Sequence, residues 1–178
     1  MVMNDQIRQR MQVVQGDITR LQVDAIVNAA NTWLMGGGGV DGAIHRAAGP
    51  ELLAACRQFG GCPTGEARIT DGYDLLARHV IHAVGPVYRE GENEDEAGRL
   101  LRSCYLESLK LAAKAGAESV AFPCISTGVY GYPQEEACDV ATAAVTEWLA
   151  DHASPATVIF CCFDAESAKL YSARLTKQ

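Results

Sequence analysis

Short apolar runs alternate with longer amphipathic stretches along most of the chain. The short runs are rich in valine and isoleucine, as buried strands are, and the longer stretches repeat their apolar residues with a helical period. Strands are therefore predicted at residues 11–16, 24–30, 66–70, 78–85, 118–126 and 156–163. Helices are predicted at residues 40–58, 95–116, 132–152 and 164–175, the first of them divided at Gly49-Pro50 because proline cannot continue a helix. This alternation predicts an α/β domain whose sheet is covered by helices on both faces.

Length and composition favour a single compact domain spanning residues 1–178. The chain has 48% hydrophobic and 21% charged residues, which is ordinary for a globular protein. Its polar N-terminus lacks the apolar stretch of a signal peptide, and no run is long enough to span a bilayer, so a cytoplasmic protein without membrane contact is expected. The net charge of −7 makes direct nucleic-acid binding unfavourable, but a small anion could still be held by backbone groups. In the acidic segment 89–98, Asp95 is a candidate helix cap.

The cysteines do not form a pattern that would bind a metal. There are seven, no two of them are spaced as C-x-x-C, and they do not group with the histidines at positions 45, 79, 82 and 152. Buried, reduced thiols are therefore expected. Neighbouring residues on a strand point to opposite faces, so Cys161 and Cys162 are expected on opposite sides of the sheet, as are His79 and His82.

Two glycine-rich loops follow predicted strands and open onto helices. The first loop is "NTWLMGGGGVDG", residues 31–42, and the second loop is "STGVYGYP", residues 126–133. Ligands of open α/β sheets bind at such strand ends, and successive backbone N–H groups can form a nest for an anion there. Neither loop contains lysine or arginine, so a phosphate would be held by backbone donors. The pattern is neither a P-loop nor a dinucleotide fingerprint, and simple turns remain an alternative to a site for a phosphorylated small molecule.

Four segments together resemble one protein family. "VVQGDIT", "DAIVNAAN", "GGGGVDGAIHRAAG" and "STGVYGYP" are similar, in order and spacing, to segments of the macrodomain family, in particular its bacterial O-acetyl-ADP-ribose deacetylase group, which is related to MacroD-type hydrolases. The resemblance implies a three-layer αβα sandwich around a mixed sheet of about six strands. It also implies a cleft for ADP-ribose at the strand ends, and hydrolysis by water without a metal or other cofactor.

The resemblance assigns the two ends of the ligand to different parts of the chain. Asp17 would accept a hydrogen bond from the adenine amino group, the Ile18 backbone would meet the ring, and Phe163 would stack on it. The second loop would cradle the pyrophosphate, and the first loop would press against the distal ribose. Alternatives are a helix-capping Asp17 and a core-packing Phe163. The implied ligand-binding set is Asp17, Ile18, Asn28, Asn31, Gly38, Gly39, Val40, Asp41, Gly42, Ser126, Thr127, Gly128, Val129, Tyr130 and Phe163.

The implied catalytic residues are Asp41, Asn31, His45 and Tyr130. Asp41 would take the proton of a water that attacks an ester on the distal ribose, while the asparagine amide would fix the sugar. Tyr130 would close over that ribose. The competing interpretations are that Asp41 only caps its helix, that His45 is a core residue, and that a phosphate of the ligand activates the water.

Several functions are compatible with this resemblance. The first is release of acetate from O-acetyl-ADP-ribose, and the second is removal of mono-ADP-ribose from acidic side chains of proteins, which involves the same kind of ester. A reader that binds ADP-ribose without turnover is an alternative of another class, and restraint of ribonuclease III is a fourth. Trp33 stands where relatives often have a small residue or proline, so it could line or cover the acyl pocket.

Overall fold

A six-stranded mixed sheet forms the centre of the molecule. The computed structural model describes residues 3–176. Its strands run in the order β1-β6-β5-β2-β4-β3, and every neighbouring pair is parallel except β3 and β4. This architecture confirms the predicted fold class. The strand bounds are β1 Met11–Gln15, β2 Ala25–Ala30, β3 Ala67–Asp71, β4 His79–Val84, β5 Ser119–Phe122 and β6 Thr157–Cys162.

Helices cover both faces of the sheet. Their bounds are α1 Asp5–Arg8, α2 Gly39–Ala48, α3 Pro50–Arg57, α4 Glu94–Lys114, α5 Gln134–Asp151 and α6 Ala165–Thr176. A short 3-10 helix, Ile18–Arg20, follows β1. The predicted break is confirmed, since Gly49 ends α2 and precedes α3 with a φ of 88°, a backbone conformation that favours glycine. The prediction that Asp95 caps this helix was wrong, because α4 begins at Glu94. Asp95 lies within the first turn, where its negative charge interacts favourably with the helix dipole.

The core is divided by the sheet into two apolar layers. On one face, Val27 and Cys162 pack with residues of α4, α5 and α6. On the other face, Ile26 and Cys161 pack with residues of α2 and α3. The alternation along β2 and β6 explains the separation, because successive side chains of a strand point to opposite faces. The predicted opposite placement of Cys161 and Cys162 is thereby confirmed.

All seven cysteines are free thiols, and Cys124 is the one that is not fully buried. Over residues 3–176, no helix combines the length and the apolar character needed to cross a membrane. The parallel strands β1, β6, β5 and β2 end at the same edge of the sheet, and the first and second loops leave the sheet there. This edge is where a ligand cleft is expected in an open α/β sheet.

Candidate active site

A cleft of about 730 Å³ lies along the carboxyl ends of the parallel strands. Its size is within the range of small-molecule sites, roughly 300–1,000 Å³. Both predicted loops line it, together with the turn after β1 and the segment after β6. Of the residues predicted from the sequence, the lining includes Asp17, Ile18, Asn31, Gly38, Gly39, Val40, Asp41, Ser126, Thr127, Gly128, Val129, Tyr130 and Phe163. Three predicted residues, Asn28, Gly42 and His45, are outside the lining.

Asn31 holds the first loop in shape. Its Oδ1 accepts hydrogen bonds from the backbone N–H groups of Trp33 at 3.2 Å and Leu34 at 3.0 Å. Its Nδ2 donates to the Gly36 carbonyl at 3.0 Å. One amide hydrogen of Asn31 is left over for a ligand, because an asparagine Nδ2 carries two. Asn31 therefore supports the loop as well as lining the cleft, which the sequence-based interpretation as a ribose-contacting residue did not include.

The glycine run allows the first loop to approach α2 closely. A Cβ on Gly37 would lie 3.3 Å from Asp41 Oδ2, and a Cβ on Gly42 would lie only 2.5 Å from the Gly37 carbonyl oxygen. Gly42 therefore packs against the first loop and is outside the cleft lining. A Cβ on Gly38 would meet nothing within 4 Å and would project into free space. Glycines at 37 and 42 therefore bring the loop against the helix, while Gly38 keeps the space beside α2 open.

Asp41 is a buried carboxylate in the first turn of α2. Its side chain accepts a hydrogen bond at Oδ1 from Asn28 Nδ2 at 2.8 Å, and His45 Nε2 lies 3.4 Å from the same oxygen. The helix is preceded by Gly38 and has no side-chain cap, so the capping interpretation of Asp41 was wrong. Within residues 3–176, Oδ2 accepts no hydrogen bond and lies next to Gly37. Asp41 is therefore held by one oxygen and has the other free on the cleft side.

Asn28 and His45 support Asp41 from behind the cleft wall. Asn28 is fully buried, and its amide also lies 3.1 Å from His82 Nδ1. Its amide is thus engaged by two side chains, and Asn28 is outside the cleft lining. The side chain of His45 is 15% exposed and packs below Gly36, where a Cβ would lie 3.7 Å from its ring. Neither side chain lines the cleft, so each reaches the site through its contact with Asp41.

His82 was not singled out from the sequence as a site residue, although it is a buried ionisable group near Asp41. Burial lowers its pKa to about 4, so the ring is neutral at physiological pH. Its Nε2 lies 3.0 Å from Thr70 Oγ1 and 3.6 Å from Cys56 Sγ. Across residues 3–176, no cluster of three or more such ligands is placed to hold a metal ion.

The second loop presents backbone donors to the cleft. Ser126 has a φ of 68°, and Tyr132 N–H donates to its carbonyl at 2.9 Å, which closes the loop. The N–H groups of Gly128, Val129 and Tyr130 make no hydrogen bond to any atom of residues 3–176. Consecutive free N–H groups in a turn that includes a left-handed residue are the elements of an anion nest. Val129 is fully exposed, which shows that this part of the loop has no core-packing role.

The turn after β1 and the segment after β6 form the other end of the cleft. Asp17 Oδ1 accepts from the backbone N–H of Thr19 at 2.9 Å and from its hydroxyl at 2.7 Å, which confirms the capping interpretation. These hydrogen bonds lower the pKa of Asp17. Its second oxygen, Oδ2, is 3.8 Å from Arg20 Nε and keeps acceptor capacity. Phe163 is 87% exposed on the cleft lining, so its interpretation as a core residue was wrong.

Arg46 and Cys124 are among the lining residues that were not predicted from the sequence. Arg46, an exposed residue of α2, adds a cationic side chain to the cleft wall. Cys124 is half-buried in the cleft, and a hydrogen bond with the Cys162 thiol, 3.9 Å away, lowers its pKa. Trp33, proposed to line or cover an acyl pocket, is 73% exposed and outside the cleft lining.

Comparison with known proteins agrees with this geometry. The family model described as Macro domain matches residues 27–141. An O-acetyl-ADP-ribose deacetylase of Escherichia fergusonii is 57% identical over 177 residues, covering 97% of this chain and 98% of that protein.

Solved structures show the same fold. A Trypanosoma brucei macrodomain in complex with ADP-ribose aligns with a TM-score of 0.89 and 46% identity, over 97% of this chain and 72% of that one. An Oceanobacillus iheyensis macrodomain with ADP aligns with a TM-score of 0.85 and 42% identity, over 92% of this chain and 88% of that one. By sequence and by fold, this chain belongs to the macrodomain family.

Proposed function

We propose that this protein is an ADP-ribose-binding hydrolase that converts O-acetyl-ADP-ribose and water into ADP-ribose and acetate. The observation that carries the proposal is Asp41, a carboxylate held at one oxygen and free at the other, at the point where the first loop meets α2. High identity to a relative named O-acetyl-ADP-ribose deacetylase supports the same reaction. A reader that only binds would need the two loops but would not need this buried carboxylate.

The ligand is proposed to lie with its adenine between Asp17 and Phe163. Asp17 Oδ2 then accepts from the adenine amino group while Oδ1 continues to cap the 3-10 helix. The pyrophosphate binds the free N–H groups of the second loop, and the N-terminus of α2 adds its partial positive charge. The distal ribose reaches the first loop, where Asn31 has one amide hydrogen left to donate.

Asp41 then acts as the general base. Its Oδ2 accepts the proton of a water whose oxygen attacks the acyl carbon of the ester. The tetrahedral intermediate breaks its bond to the ribose oxygen, which takes the proton back from the Asp41 carboxyl as acetate is released. Tyr130, on the cleft lining, closes over the ribose and orders the water. An alternative, in which a ligand phosphate activates the water, leaves Asp41 as an orienting group.

Replacing each of two cleft carboxylates by an amide tests the assignment of Asp41 as the general base. Asp41→Asn keeps the shape of the side chain but removes the base, so kcat is expected to fall at least about 100-fold with little change in ADP-ribose affinity. Asp17→Asn is the matched control at the other end of the cleft. Its amide would face the adenine amino group, so affinity should fall roughly tenfold or more while kcat at saturation stays near wild type.

The assay is acetate release from O-acetyl-ADP-ribose in the presence of a chelator, with calorimetric titration of ADP-ribose into each variant. Binding without acetate release by the wild type would make the protein a reader. Turnover lost on chelation would contradict metal-free hydrolysis. Near-normal kcat in Asp41→Asn would move the activation of water to the ligand phosphate.

Two finer proposals concern macromolecules. The ester between ADP-ribose and an acidic protein side chain has the chemistry of the acetyl ester, so we extend the proposed activity to mono-ADP-ribosylated proteins. Release of labelled ADP-ribose from a glutamate-modified protein, lost in Asp41→Asn, is the expected result. We also propose a contact with ribonuclease III, which is tested by pulldown with and without ADP-ribose. Absence of the ribonuclease from both pulldowns would refute this contact.

A further inference from the structure

We propose that His82 is a positioning residue for Asp41 and acts through Asn28. The four side chains Asp41, Asn28, His82 and Thr70 form a continuous chain of hydrogen bonds, which we call the buried relay. The relay runs from the cleft across β2 and β4 to β3, three neighbouring strands of the sheet. This inference rests on the proposed hydrolase function for its kinetic consequences, but its hydrogen-bond arrangement stands independently.

The relay begins with the two hydrogens of the Asn28 amide. One is donated to Asp41 Oδ1 at 2.8 Å, and the other points to His82 Nδ1 at 3.1 Å. The opposite orientation of the amide would place its oxygen against the carboxylate oxygen of Asp41 at the same distance, where two acceptors repel each other. The carboxylate therefore selects the orientation, even though it leaves Asn28 Oδ1 buried without a partner among residues 3–176.

The protonation of the His82 ring follows from that choice. An amide N–H pointing at Nδ1 requires Nδ1 to be the unprotonated acceptor, so the hydrogen of the neutral ring is on Nε2. At Nε2 the ring meets Thr70 Oγ1 at 3.0 Å, and this hydroxyl donates its own hydrogen to the Asp71 carbonyl at 3.0 Å. Each donor of the relay thus has an acceptor. Burial keeps the ring in this neutral form.

The consequence for the cleft is a fixed carboxylate. Without an acceptor at His82 Nδ1, the Asn28 amide could rotate away, and Asp41 Oδ1 would lose a donor that holds it at 2.8 Å. Oδ2 would then no longer be held beside Gly37 on the cleft side. Small displacements of a catalytic group cost rate rather than affinity, about 100-fold for a misplacement of about 1 Å.

Two substitutions separate positioning from packing. His82→Phe preserves ring volume but removes the acceptor, whereas His82→Asn is smaller but offers an amide oxygen near the position of Nδ1. Positioning predicts a kcat reduced about 10- to 100-fold in His82→Phe, a KM within twofold of wild type, and partial recovery of kcat in His82→Asn. If His82 only packs the core, kcat should instead fall more in His82→Asn than in His82→Phe, because the phenylalanine fills the core and the asparagine leaves a cavity. That order, or equal changes in kcat and KM, would overturn the proposal.

Nitrogen-15 NMR of the labelled wild-type protein gives a test that needs no turnover. We expect His82 to be neutral at pH 7 with hydrogen on Nε2 and with an Nδ1 shift typical of an acceptor. Hydrogen on Nδ1, or a charged ring, would overturn the relay even if both variants failed to fold. A wild type that releases no acetate while showing the expected tautomer would refute the hydrolase proposal and leave the relay intact.

Discussion

Replacing Phe163 by alanine should weaken ligand binding without affecting the fold. The side chain is 87% exposed and follows directly after β6, so it contributes almost nothing to the core. Substitutions at such exposed positions usually change the free energy of unfolding by no more than about 0.5 kcal/mol. Stacking of a base on an aromatic side chain is worth about 1–3 kcal/mol. Because about 1.4 kcal/mol corresponds to a tenfold change, Kd for ADP-ribose should rise roughly 5- to 150-fold.

Calorimetric titration of ADP-ribose into Phe163→Ala, Phe163→Trp and Phe59→Ala measures this effect. The tryptophan variant keeps a stacking surface and should bind about as well as wild type. Phe59 is a matched control, since it is 40% exposed and lies in a separate cavity between α3 and β3. An affinity of Phe163→Ala within twofold of wild type would refute the stacking argument. Equal losses in Phe163→Ala and Phe59→Ala would point to a general structural effect instead.

Two other predictions follow from buried or half-buried groups. His82 has a pKa of about 4 in the folded protein and 6.5 when free. The unfolded chain therefore binds the extra proton more readily, so the free energy of unfolding is highest above pH 6.5 and falls as the pH decreases toward 4. The total decrease is about 3 kcal/mol, at about 1.4 kcal/mol per pH unit. Denaturant unfolding at pH 7.5 and 4.5 should show a smaller loss in His82→Phe than in wild type, and equal losses would contradict the burial argument. Cys124 is half-buried in the cleft with a lowered pKa, so iodoacetamide should modify it before the other thiols, and saturating ADP-ribose should protect it. Modification unaffected by ADP-ribose, read by peptide mass mapping with Cys124→Ala as control, would place the ligand elsewhere.

Local chemistry explains which parts of the site could be read from the sequence. The strand-ending loops, the cap at Asp17 and the break at Gly49 depend on residues close together in the chain. Depth is different. Asn28 and His45 both contact Asp41, but only the folded structure shows that neither of them lines the cleft.

His82 carried a signal that could have been used. It is a polar residue inside an apolar strand, and a buried polar group at such a position needs hydrogen-bond partners. Its partners, Asn28 on β2 and Thr70 on β3, precede it in the chain by 54 and 12 residues, so spacing along the chain could not name them. The same limit applies to Thr70, which lies on the antiparallel edge strand.

Arg46 shows how a glycine can bring a distant charge into a site. It lies one helical turn after Gly42, and a Cβ on Gly42 would be 3.1 Å from Arg46 Nη1. The absent side chain therefore leaves room for the guanidinium to fold back toward the first loop. The sequence-based expectation of a site held by backbone donors alone took no account of this approach.

A cation on the cleft wall predicts that binding of the diphosphate ligand depends on salt. Exposed charge pairs are worth about 0.2–1 kcal/mol and are screened within about 10 Å at 0.1 M salt, so affinity should fall a few-fold between 50 and 500 mM KCl. Arg46→Gln should bind more weakly at low salt and show little further dependence. Arg57→Gln, an exposed arginine of α3 outside the cleft lining, should behave as wild type. A wild type insensitive to salt would mean that the N–H groups of the second loop hold the pyrophosphate alone. Salt dependence of the affinity that persists in Arg46→Gln would require another cation, and among residues 3–176 the cleft lining contains no other lysine or arginine.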